Sequence, residues 1–174
     1  MRLIGAAAFL VLSGTMAAQA AELPARKAGL WEVRMSFGNR NGAGPAIQQC
    51  IDASTDQMMQ SSAGPLAQAA CPKHDVQRSG NTTTIDATCS LAGKTATSHS
   101  VIIGSFDSAY TMTVTSQSDA FPGGSITMTL EAKWLGACAA DQKPGDLIMP
   151  GGIRMNIPEM QKRGLSQGIP LPAR

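Results

Sequence analysis

The chain reads as mainly β, a β-rich α+β fold: an antiparallel up-and-down meander of about seven strands in a curved sheet or barrel-like half-shell. Three observations lead there. From Lys73 to Trp134 one β-prone segment follows another, and the joints between them (Ala92-Gly93, Gly104–Ser108, Phe121–Gly124) are too short for crossover helices. Leu30–Phe37, LWEVRMSF, alternates apolar and polar residues at period two. The chain also carries four cysteines and few aromatics, 4% of residues, as expected of a small core held by staples.

Taken in order, Met1–Ala20 reads as a leader to be removed. Arg2 precedes an apolar run from Leu3 to Leu12, and Ala18-Gln19-Ala20 is a small-x-small cleavage site, so the mature chain would begin near Ala21. The expected location is periplasmic or secreted. No later stretch is long and apolar enough to cross a bilayer. Residues 21–164 are expected to form a single disulfide-stapled domain, and 165–174 a flexible tail. The mature chain holds thirteen Lys and Arg against twelve Asp and Glu, scattered without a basic run, which argues against nucleic acid as a partner.

Ala21–Ala28 is a polar lead-in. Strand Leu30–Phe37 should place Trp31, Val33, Met35 and Phe37 on one face, and Pro45–Cys50 should return beside it after a glycine-rich turn. Ser54-Thr55-Asp56-Gln57 has the form of a capping box, predicting a helix that carries Met58 and Met59 and stops near Gly64. Pro65–Ala70 would make a second short helix. Strands are then predicted at Lys73–Ser79, Thr82–Cys89, Lys94–Ile103, Ala109–Ser118 and Ser125–Trp134. Tyr110, Met112 and Val114 should share an inner face with Ile126, Met128, Leu130 and Trp134. After Cys138 an irregular tail is expected, with a turn or two of helix over Pro158–Arg163.

Four cysteines allow three pairings. Ser79-Gly80-Asn81 marks a turn, and Cys71 and Cys89 each stand nine residues from Gly80, so a hairpin there favours Cys71–Cys89 and leaves Cys50–Cys138. The same symmetry sets His74 opposite Asp86. It also puts Lys73 and Asp75 on the face of Ile85 and Ala87, with Val76 opposite. Either that end is half-buried or a bulge shifts the register, and a half-buried end is expected because a covalent staple helps most there.

Motifs for chemistry are sparse. Gly93-Lys94-Thr95 lacks the upstream glycine of a phosphate loop and precedes a predicted strand, not a helix. His99 lies between Ser98 and Ser100, which point to the opposite face and are badly placed for activation. His74 with Asp86 would suit a base or a metal's outer shell, though a surface charge pair is the plainer reading. Paired cysteines leave no thiolate for catalysis or zinc. The mature chain's methionines, eight in all, include Met35, Met58, Met112 and Met128; thioethers bind Cu(I), but gap-filling in an aromatic-poor core explains them better.

Several stretches together resemble domain-of-unknown-function family 3617, small exported bacterial envelope proteins. They are Arg26–Val33 (RKAGLWEV), Gln49-Cys50-Ile51-Asp52, Cys71, Cys89, Trp134–Cys138 (WLGAC), Lys143-Pro144-Gly145-Asp146 and Met149-Pro150-Gly151. Ala28 and Ala137 stand where proline is expected in relatives. The resemblance implies export and a shared fold and assigns no activity.

The functional expectation is a noncatalytic binding or structural module without a cofactor. Its partner would be a small apolar ligand or an envelope protein, held against Trp31, Met35, Met58, Tyr110, Met112, Met128, Leu130 and Trp134. The alternative is a Cu- or Zn-handling protein, or a hydrolase-like enzyme using His74 and Asp86.

Overall fold

The computed structural model describes residues 23–38, 44–60, 71, 73–91 and 93–166. The expected leader, the Gly64 helix stop, the Pro65–Ala70 helix and most of the C-terminal tail lie outside them. Among the described residues nine strands make one antiparallel sheet: β1 (Gly29–Phe37), β2 (Ile47–Ile51), β3 (Lys73–Ser79), β4 (Thr82–Leu91), β5 (Lys94–Ser105), β6 (Ala109–Gln117), β7 (Ser125–Gly136), β8 (Asp146–Ile148) and β9 (Arg154–Asn156). Helix α1 spans Ala53–Gln60 and α2 spans Ile157–Ser166. The mainly β class is as the sequence predicts.

The strand order is β3-β4-β5-β6-β7-β1-β2-β8-β9. β3 to β7 form the expected meander, and the β1–β2 hairpin is laid between β7 and β8. The sheet stays open, with β3 and β9 as its edges.

Two elements were not foreseen. The stretch after Cys138 is not irregular, because β8 and β9 form a short hairpin that extends the sheet from β2. Lys143-Pro144-Gly145-Asp146 delivers it. The buried Asp146 carboxylate accepts from the Lys143 amide at 2.8 Å and from Asn156 Nδ2 at 2.9 Å, and the Gly145 amide donates to the Cys50 carbonyl at 2.8 Å. Each run is only three residues long, which is too short for period-two alternation to register.

Helix α1 starts earlier than expected. Its reciprocal box joins Asp52 to Thr55: the Thr55 amide donates to Asp52 Oδ1 at 2.8 Å, and the Asp52 amide donates to Thr55 Oγ1 at 2.9 Å. The Ser54 hydroxyl is engaged on the same carboxylate, donating to Asp52 Oδ1 at 2.8 Å. These bonds hold the Asp52 carboxyl below its ordinary pKa, the Thr55 amide contributing most.

The β3–β4 register also differs from the symmetric hairpin. Ser79 pairs with Thr82 around a two-residue loop, with Gly80 in the left-handed region at φ 60°. Every partner therefore moves by one: His74 faces Ala87, Asp75 faces Asp86, and Val76 faces Ile85. This is the register shift that the expectation set aside, and it restores Val76 to the apolar face. Cys71–Cys89 forms all the same, as does Cys50–Cys138.

Cross-strand pairing arranges the apolar face in rows. Val76, Ile85, Ser100, Val114, Met128 and Phe37 make one, and Thr83, Ile102, Met112, Leu130 and Met35 the next. Tyr110, Ala132 and Val33 follow, and then Trp134, Trp31 and Gln49. Trp31, Val33, Ile51 and Ala132 form the buried cluster, with Met59 of α1 against it. The core thus sits at the tryptophan end.

Candidate functional site

The tryptophan end is tied by its polar groups. Arg26, in the lead-in, is buried and uses both its backbone amide and its Nε to donate to the two oxygens of Asp56, each at 2.7 Å. Its Nη1 donates to Gln49 Oε1 at 2.9 Å, and its guanidinium lies 5.7 Å from the Trp31 ring centre. Asp56 is fully buried. Lys27 Nζ caps the Trp134 ring at 3.7 Å, while the indole N–H groups of Trp31 and Trp134 donate to the Lys27 and Ala28 carbonyls. Gly29 must be glycine: at φ 131° it passes so close to Gly136 that a Cβ would meet the carbonyl oxygen.

Tyr110 closes this cluster, stacked on Phe106 with ring centres 4.8 Å apart and tilted against Trp31 at 5.9 Å. Burial pushes its hydroxyl pKa up, with Asp56 adding to the rise and Arg26 opposing it. Among the described residues no buried side-chain nitrogen or oxygen lacks a hydrogen-bond partner. The cluster locks the lead-in, β1, β2 and α1 together, and Trp31, expected to face a ligand, is fully buried within it.

At the other end the rows are open. Met35, Met112, Val114, Met128 and Leu130 are only half-buried, while Phe37 is 49% exposed and Ile126 is 43% exposed. Of the expected ligand-facing residues, Met35, Met112, Met128 and Leu130 share this surface. Tyr110 and Trp134 are half-buried against the core, where Met59 also packs; Met58 is half-buried on α1.

His74 and Asp86 do not face each other across the β3–β4 ladder. His99 Nδ1 lies 2.7 Å from Asp86 Oδ1 instead, on the opposite, threonine-rich face, with both side chains more than half exposed. The two-residue β3–β4 loop sets His74 opposite Ala87, and the β4–β5 register sets His99 opposite Asp86. Among the described residues no group of three or more His, Cys, Asp or Glu stands close enough to hold a metal ion.

Sequence reasoning missed Arg26 and Asp56. Asp56 passed for an ordinary helix-start acid, a place that suits carboxylates anyway. Its partner is thirty residues away, beyond any local pattern.

Together these features define a disulfide-stapled antiparallel sheet, locked at one end and presenting apolar surface at the other. The chain belongs to the family described as protein of unknown function (DUF3617), whose profile matches residues 26–138. No curated protein and no solved structure matches it. With no free cysteine and two disulfides, the protein suits an oxidising, non-cytoplasmic setting. None of its described helices is long and apolar enough to cross a membrane.

Proposed function

We propose that this is a noncatalytic binding module of the cell envelope, exported by its Met1–Ala20 leader, whose apolar sheet face holds one small ligand with a flexible apolar chain. The carrying observation is the half-open surface of Met35, Phe37, Met112, Val114, Ile126, Met128 and Leu130, continuous with the core but not filled by it. Methionine suits such a ligand. Its unbranched, polarisable side chain conforms to chains of varied shape.

The test is fluorescence of a polarity-sensitive naphthylamine dye with the mature protein, followed by displacement with medium-chain fatty acids. Enhancement that is displaced, and is lost in Met112→Lys and Met128→Lys variants of unchanged melting temperature, supports the reading. No enhancement, or enhancement indifferent to both substitutions, refutes it. The export part is checked separately by cell fractionation and by N-terminal sequencing, which should begin near Ala21.

A further inference from the structure

The polar face of the sheet carries a cavity of about 350 Å³ over β5, β6, β7 and β1, lined among others by Ile103, Thr111, Glu131, Lys133, Glu32 and Arg34. That is the lower end of the range for small-molecule sites. The register explains its shape. One cross-strand row runs Ile103, Thr111, Glu131, Arg34, and the next runs Ala109, Lys133, Glu32. Small residues on β6 make a hollow between an exposed isoleucine on one side and four charges on the other.

Those charges are unevenly satisfied. Arg34 faces Glu131 across the strands, yet its Nε donates to Glu32 Oε1 at 2.9 Å. Among the described residues the side chains of Glu131 and Lys133 then have no hydrogen bond or ion pair, although each has an opposite charge across the ladder. They stand two apart on β7, about 6.8 Å along the strand and on the same face. The wall thus offers one unspent anion and one unspent cation, side by side, with an apolar side chain across the hollow.

We infer that this cavity is a binding site for a free α-amino acid with an apolar side chain. Glu131 receives the ammonium group, Lys133 receives the carboxylate, and the side chain lies against Ile103 over Ala109 and Thr111. A lone cation or anion meets a lining of balanced charge and gains little from it. A zwitterion satisfies both unspent groups at once. The site is on the opposite face from the apolar rows and does not rest on the ligand proposed for them.

The experiment is an NMR titration of the mature protein with L-leucine, run beside leucinamide, which lacks the carboxylate, and N-acetylleucine, which lacks the ammonium. Saturable shifts confined to β5–β7 and β1 are expected with leucine, and binding about tenfold or more weaker with either analogue. Glu131→Gln and Lys133→Met, both at exposed positions, should each weaken leucine to a similar degree without altering the rest of the spectrum. The proposal is overturned if leucine produces no shifts up to roughly 10 mM. It is overturned equally if both analogues match leucine, or if either substitution leaves the affinity unchanged.

Discussion

Asp56 and Arg26 are thirty residues apart in the chain and meet with both side chains almost wholly buried. Removing one partner strands a buried charge, so Asp56→Ala should cost about 3–5 kcal/mol in urea denaturation. Replacing both by leucine should cost less than the sum of the single losses, since neither charge is then left alone. Asp52 makes a subtler test. Its pKa is lowered in the fold, so its contribution is present above the unfolded carboxyl's pKa and fades as pH falls through the folded value. The stability gap between the protein and Asp52→Ala should be about 1 kcal/mol at neutral pH. It should close as pH drops below about 4, where the unfolded carboxyl protonates.

At the level of elements, the disulfides close loops of very different length, with sequence separations of 18 and 88. In the chain-entropy picture, replacing Cys71 and Cys89 by serine should cost about 3 kcal/mol, and replacing Cys50 and Cys138 about 4–5 kcal/mol. Chemical denaturation of the two double variants measures both. Elements with a strong local signal were readable in advance. β1, β6 and β7 are each nine residues or more long and carry period-two alternation, and their inward rows are those the alternation names. What escaped was set by contacts far apart in sequence or by a single residue of loop. β8 and β9 are strands because Gly145 and Asp146 bring them to β2, not because LIMPGGIRM alternates. Whether His74 faces Asp86 or Ala87 depends on whether the β3–β4 hairpin turns on one residue or two, and the His99–Asp86 contact comes from the separate β4–β5 register. Of the open apolar surface, Met35, Met112, Met128 and Leu130 were legible, while the burial of Trp31 depends on the unforeseen Arg26–Asp56 pair.

For the whole molecule, the open sheet has a protected middle and two thin margins. Backbone amides of β6, β7 and β1 should exchange most slowly with deuterium, and those of β3 and β9 fastest, with α2 among the fast group because its middle residues are exposed. Uniform exchange across the sheet would contradict this gradient. The place of β1 has a consequence for the order of events during synthesis. Trp31 pairs with Trp134, so the first strand made must wait for the seventh, roughly a hundred residues later. Until β7 arrives, the β1–β2 hairpin lacks its β7 neighbour, and β8 has no completed sheet to join. A chain emerging N-terminus first can complete its centre only after most of its length has come through. The β3–β6 hairpins can form on the way, but the tryptophan lock belongs to the final stage.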